Sequence, residues 1–170
     1  MKGIIKKCLT AMLLCVSAAA IATPPTSLPA NISLTNAQGK KVAVSSIRQN
    51  GKPTLVSFFA TWCGPCRREL SAISENIVSW RKQTGVKMVI VSLDDPSNRD
   101  QVIKMVKDNG WSNFELYFDD SREFSKLMEV SGIPHMLFVD GKGNIVDSAV
   151  GFDGDVSHTL ERVKQIKASK

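Results

Sequence analysis

Thr54-Leu55-Val56-Ser57-Phe58-Phe59-Ala60-Thr61-Trp62-Cys63-Gly64-Pro65-Cys66-Arg67-Arg68-Glu69 is the stretch from which the fold can be read. Its first six residues are β-branched, apolar or aromatic without alternation, the pattern of a strand buried on both faces and therefore central in a sheet. Beyond the cysteines, Leu70, Ile73, Ile77 and Trp80 recur at helical spacing up to Gly85, which predicts a helix of about four turns behind the strand. Residues 86–93 form the next apolar run. A strand, a helix and a second strand of this size make a βαβ unit, because parallel neighbours need such a crossover.

The flanking sequence completes an α/β domain. Ile32, Leu34, Val42 and Val44 alternate around Asn36-Ala37-Gln38-Gly39, which predicts a β-hairpin at the entrance. Val102, Ile103 and Val106 mark a helix ending near Asn109-Gly110, residues 114–118 a short strand, and Phe124, Leu127 and Met128 a short helix. Residues 136–139 and 145–150 flank Asp140-Gly141-Lys142-Gly143-Asn144, a hairpin signal. Val156, Leu160, Val163 and Ile166 or Lys167 close the chain with an amphipathic helix. The expected fold is a central mixed β-sheet flanked by helices on both faces, with an N-terminal β-hairpin extension.

A chain of 170 residues at 43% hydrophobic and 22% charged is neither collagen-like, coiled-coil nor wholly disordered. Residues 1–22 read as a signal peptide. Lys2, Lys6 and Lys7 precede an apolar run over residues 9–20, and Ala20-Ile21-Ala22 supplies the small residues of a cleavage site. An uncleaved anchor is the alternative, although the run is shorter than the roughly 17–25 residues that span a bilayer. Lipid attachment at Cys15 is disfavoured by bulky Leu14. Residues 23–30, with Pro24, Pro25 and Pro29, read as a flexible lead-in to one domain over 31–170. Cleavage removes three lysines and no acid, taking the formal charge from +6 to about +3. No basic stripe with interleaved aromatics remains, so no nucleic-acid partner is expected. Cys8 and Cys15 leave as well. Only Cys63 and Cys66 then stay, in a compartment where idle thiols tend to be oxidised.

Their placement carries the chemistry. A Cys at the first turn of a helix faces unpaired N–H groups and the positive end of the dipole, which lowers its pKa from about 8.5 to roughly 7 or below. Cys63 is thereby the attacking sulfur. Cys66, one turn further along the same face, is shielded and suits the resolving role. Pro65 gives up an N–H that lacks a partner at that position anyway. Half of a zinc site and a purely structural disulfide are the alternatives. A second Cys or His pair at ligand spacing is missing, and a bridge closing so small a loop gains little stability. No metal and no cofactor is called for.

Residues 58–69 resemble the active-site segment of the thioredoxin superfamily, and more narrowly of its secreted TlpA-like and ResA-like thiol-disulfide oxidoreductases. Gly132-Ile133-Pro134 before an apolar strand resembles the superfamily's second landmark, and the resemblance runs from about Ile32 to the C-terminus. It implies a thioredoxin-like fold over residues 31–170, with Cys63 and Cys66 catalytic and Trp62 and Pro65 in support. It also implies a cis Ile133–Pro134 bond lying against Cys63, where substrate backbone docks. In this group an acid three residues after the second cysteine, here Glu69, moves protons to and from the buried thiol. An exposed carboxylate paired with Arg or Lys is the alternative. Thioredoxin itself keeps an acid in the strand, where this chain has Ser57. His135 stands where relatives carry a small hydroxyl residue; it either tunes Cys63, adds a metal ligand, or is packed in the ordinary way. Arg67 and Arg68 either are solvated or reinforce the thiolate. Trp80 reads as core and His158 as surface.

The implied function is a secreted, periplasmic thiol-disulfide oxidoreductase. The Gly-Pro dipeptide matches thioredoxin, near about −270 mV, rather than strong oxidants near −120 mV, so reduction of disulfides in exported proteins is favoured. Such a reductant needs recharging by a membrane electron donor. Apocytochrome c is among the implied substrates, although the acid-containing insert of dedicated cytochrome c maturation members is missing. A monomer is expected. The rivals are a disulfide oxidase or isomerase, and a copper or zinc carrier using Cys63, Cys66 and His135.

Overall fold

The computed structural model describes residues 24–168, so the expected signal peptide over 1–22 lies outside the described residues. Seven strands form one mixed sheet: β1 (Ser33–Asn36), β2 (Lys41–Ala43), β3 (Thr54–Phe59), β4 (Lys87–Ser92), β5 (Glu115–Phe118), β6 (His135–Val139) and β7 (Ile145–Val150). Their spatial order is β2-β1-β5-β4-β3-β6-β7. As its unbroken apolar run requires, β3 is buried along its whole length and lies in the interior of the sheet. It pairs parallel with β4, Val56 opposite Val89, and antiparallel with β6, Val56 opposite Leu137.

Helices cover both faces. Helix α1 (Gly64–Thr84), α2 (Arg99–Asp108) and α4 (Ser157–Ala168) pack on one; α3 (Glu123–Leu127) and a 3-10 turn over Val44–Ile47 pack on the other. The period of two along β3 sends Leu55 and Phe59 toward α1, and Val56 and Phe58 toward α3. On the α1 side, Leu70, Ile73 and Ile77 are fully buried, each worth about 1.5–3 kcal/mol relative to exposure. Trp80 is core and His158 is exposed, as read from the sequence.

Three features differ from the sequence reading. Helix α1 has 21 residues, nearly six turns rather than about four, and starts immediately after Cys63. It ends as expected at Gly85, whose φ of 74° is left-handed and suits glycine. The N-terminal hairpin is more than an appendage: β1 pairs antiparallel with β5, Thr35 opposite Phe118, so the hairpin forms one edge of the main sheet. Residues 26–28, expected within a flexible lead-in, are held. The Leu28 N–H donates to Gly143 O at 2.9 Å, and the Ile145 N–H donates to Thr26 O at 2.8 Å. The prolines around this segment favour extended backbone, which suits pairing at an edge, and Leu28 buries its side chain there.

Candidate active site

Cys63 stands where the turn after β3 becomes α1. Its backbone is extended (φ −82°, ψ 100°), and its sulfur accepts the Cys66 N–H at 3.2 Å, capping the helix as a Ser or Asp oxygen would. The Cys63 N–H donates to Ala60 O at 3.0 Å, which closes the preceding turn. Pro65 lies in the first turn, where its missing N–H leaves no gap. Cys63 and Cys66 form a disulfide with an S–S distance of 2.01 Å. Cys66 is fully buried and Cys63 is 4% exposed, so what little access the oxidised pair has belongs to Cys63. Trp62 beside it is 73% exposed.

The second landmark comes to the same place. The Ile133–Pro134 bond is cis, and Ile133 O lies 3.8 Å from Cys63 Sγ. A disulfide sulfur has no proton, so this is a packing contact here; the same carbonyl is within reach of an S–H once the pair is reduced. Pro134 O accepts the Gly151 N–H at 2.8 Å, which ties the loop to the end of β7. Val150, also at that end, is 60% exposed.

Glu69 is buried, 6% exposed, on the inner face of α1. It accepts a hydrogen bond from the Ser57 hydroxyl at 3.1 Å, and among the described residues no cation pairs with it. The reading as an exposed, paired helix carboxylate is therefore wrong. Burial pushes its pKa from 4.5 up to about 7, against the opposing effect of the Ser57 hydroxyl. Serine in the strand and carboxylate on the helix thus meet between β3 and α1. Glu69 also lines a cavity of about 410 Å³ with Met136, His158 and Arg162, which opens the buried carboxyl toward solvent.

His135 does not join this cluster. The period of two turns its ring to the other face of β6, edge-on to Phe58 with centroids 6.0 Å apart. Burial lowers its pKa, and its Nδ1 has no hydrogen-bond partner. Among the described residues, no three His, Cys, Asp or Glu side chains gather to hold a metal. Arg67 and Arg68 are exposed on the first turn of α1.

Asp94 is the group the sequence analysis missed. It is 6% exposed and grips the turn before Cys63: Thr61 donates its N–H at 3.0 Å and its hydroxyl at 2.6 Å. Ser92 Oγ donates to the same carboxylate at 2.9 Å. The partners are 33 residues apart in the chain, so no local pattern announces the pair. The one available signal is that β3 and β4 pair in parallel register, which places the residues following each strand side by side.

Known proteins are similar to this chain. The thiol-disulfide oxidoreductase ResA of Bacillus subtilis is 26% identical over 121 residues, which cover 71% of this chain and 64% of that protein. The chain thus spans less than two thirds of that relative's length. The sporulation thiol-disulfide oxidoreductase A of the same organism is 26% identical over 126 residues, 74% of this chain and 73% of its own. An uncharacterised thioredoxin-like protein from Porphyromonas gingivalis superposes with a TM-score of 0.75 at 37% identity, over 86% of this chain and 95% of its own. The fold is thioredoxin-like. With a family model matching residues 26–148 around the dithiol and the cis-proline loop, the chain belongs to the AhpC/TSA family.

Proposed function

We propose that the protein is an exported thiol-disulfide oxidoreductase that reduces disulfides of other exported proteins through Cys63 and Cys66. The observation that carries this reading is the Cys63 sulfur at the start of α1, accepting the Cys66 N–H beneath the Ile133 carbonyl. In the reduced protein, that N–H and the helix dipole favour the Cys63 thiolate. The thiolate attacks one sulfur of a substrate disulfide, forming a mixed disulfide and releasing the other sulfur as a thiolate that takes a proton. Cys66 then gives up its proton, attacks Cys63 Sγ and displaces the first substrate sulfur. Two electrons pass from the dithiol to the substrate, and the 63–66 bridge remains. Glu69, with a pKa near 7, accepts the Cys66 proton and passes it to solvent through the adjoining cavity.

Trp62, Ile133 and Pro134 frame the substrate-docking surface in this reading. The names of ResA and of the sporulation oxidoreductase support disulfide exchange as the reaction. The leader-like pattern of residues 1–22 supports export to the periplasm, and among the described residues no helix is long and apolar enough to cross a membrane. A membrane thiol donor recharges the pair, and exported cysteine proteins, apocytochrome c among them, are its substrates. The placement of His135 against Phe58 weighs against the copper or zinc carrier, which needs that ring beside the sulfurs.

Insulin reduction in the presence of dithiothreitol tests the reaction: activity is expected in the wild type and should vanish in Cys63→Ser. Equilibration of the pair against glutathione tests its direction. A potential near about −270 mV supports reduction, and one near −120 mV replaces it with oxidation.

A further inference from the structure

The end of the sheet remote from Cys63 carries positive charge that the fold does not neutralise. Two cavities of about 500 and 640 Å³ share Lys52 in their walls. Lys142 and Lys167 line the first; Arg48 and Arg81 line the second. Among the described residues, none of these five cations forms an ion pair: Arg48 and Arg81 donate to the neutral oxygens of Asn50 and Asn113, and Lys167 to Gln83 O. The acids lining the cavities are committed elsewhere. Asp147 pairs with Arg162 at 3.3 Å and Glu115 with Lys87 at 3.1 Å. Asp140 accepts the N–H groups of Lys142 and Asn144, both at 2.8 Å, and is the one acid lining the two cavities without a cation partner.

The termini of α1 and α4 account for Arg81 and Lys167, because cations suit helix C-termini. They do not account for Arg48, Lys52 or Lys142, which lie in loops. Gly141 presses this loop cluster together: a Cβ there would meet the Gly51 backbone at 2.6 Å, so the turns holding Lys52 and Lys142 are kept close. A small formal charge after leader removal therefore conceals a segregated one.

We propose that this pole seats on the headgroup phosphates of an anionic lipid bilayer. Two observations select a bilayer. Charge complementarity calls for a surface of phosphates rather than one anion, because the cations are spread over two adjoining cavities. Residues 26–28 lie along Gly143 and the start of β7, so under the alternative of an uncleaved anchor the apolar run at 9–20 would join the chain beside this pole. Choosing lipid over nucleic acid rests on the export reading given above. Six residues of β3, about 20 Å, separate Lys52 from the Cys63 turn. Seating thus leaves the dithiol facing outward.

Flotation of the full chain with vesicles of phosphatidylcholine alone, and of three parts phosphatidylcholine to one part phosphatidylglycerol, tests this. Binding should be stronger on the anionic vesicles and lost at about 1 M salt, where charges are screened beyond about 3 Å. The double variant Lys52→Gln, Lys142→Gln should weaken binding roughly 30-fold, since a basic residue near such a surface contributes about fivefold. The control pair Lys104→Gln, Lys126→Gln, exposed on α2 and α3, should leave it unchanged, and insulin reduction should be the same in all. Equal loss in the control pair would make the attraction diffuse and overturn the pole. Equal binding to both vesicles would assign the affinity to the apolar leader. Competition by millimolar inorganic phosphate would replace the bilayer with a small-anion site. Cell fractionation tests export separately, so failure of one reading is distinguishable from failure of the other.

Discussion

Glu69→Gln probes the buried carboxyl on the inner face of α1, three residues after Cys66. In the folded protein burial raises its pKa from 4.5 to about 7, so between those values the native state holds a proton that the unfolded chain has lost. For a raised acid the native state is favoured below pH 4.5, and that advantage disappears as pH rises through 7. At about 1.36 kcal/mol per unit, the wild type should lose about 3 kcal/mol across this window from Glu69 alone. Glutamine is neutral throughout, fills the same volume and still accepts the Ser57 hydroxyl through its amide oxygen. Denaturant unfolding of both oxidised proteins at pH 4.5 and 8 supplies the difference, in which all other titrating groups cancel. The variant should gain about 3 kcal/mol on the wild type between the two pH values. Parallel behaviour, with the gap changing by under about 0.5 kcal/mol, would refute the buried, uncompensated carboxyl.

Three other perturbations follow from the same geometry. Asp94→Asn should cost about 1–3 kcal/mol in denaturant unfolding and slow insulin reduction, because the Thr61 N–H and hydroxyl lose a charged acceptor next to Cys63. Trp62→Ala should change stability by under about 0.5 kcal/mol, since the side chain is 73% exposed, while raising the KM for a protein disulfide; an unchanged KM would remove Trp62 from the docking surface. His135→Phe should flatten the stability profile below pH 6.5. Burial lowers the imidazole pKa, so the neutral form stabilises the fold above 6.5 and that contribution is lost as pH falls; an unchanged slope would contradict the burial.

Much of the fold was legible because it is local. The unbroken run from Thr54 to Phe59 could only be a doubly buried strand, and the spacing of Leu70, Ile73, Ile77 and Trp80 could only face a core. What escaped depends on distant partners. The edge position of the hairpin comes from β1 meeting β5, some eighty residues later in the chain. Prolines at 24, 25 and 29 suggest freedom, whereas the edge beside Gly143 supplies bonds that no composition reveals. The length of α1 was underestimated because its apolar period is visible only from Leu70 onward, whereas the helix already begins at Gly64 with the Cys63 sulfur as its cap. At the site, the dithiol was evident from spacing, and the cis bond at Pro134 only from resemblance. Glu69 looked like any amphipathic-helix carboxylate; its burial becomes visible once α1 is laid on Ser57. Asp94 required the parallel register of β3 and β4.

The ionisation of Cys63 tests the mechanism most directly. The rate of iodoacetamide alkylation of the fully reduced protein, followed against pH with mass mapping of the modified residue, reads it. Cys63 should react first, with a pKa of about 7 or below, as expected of a sulfur that caps a helix start. A pKa at or above the ordinary value of about 8.5, or earlier modification of Cys66, would contradict it.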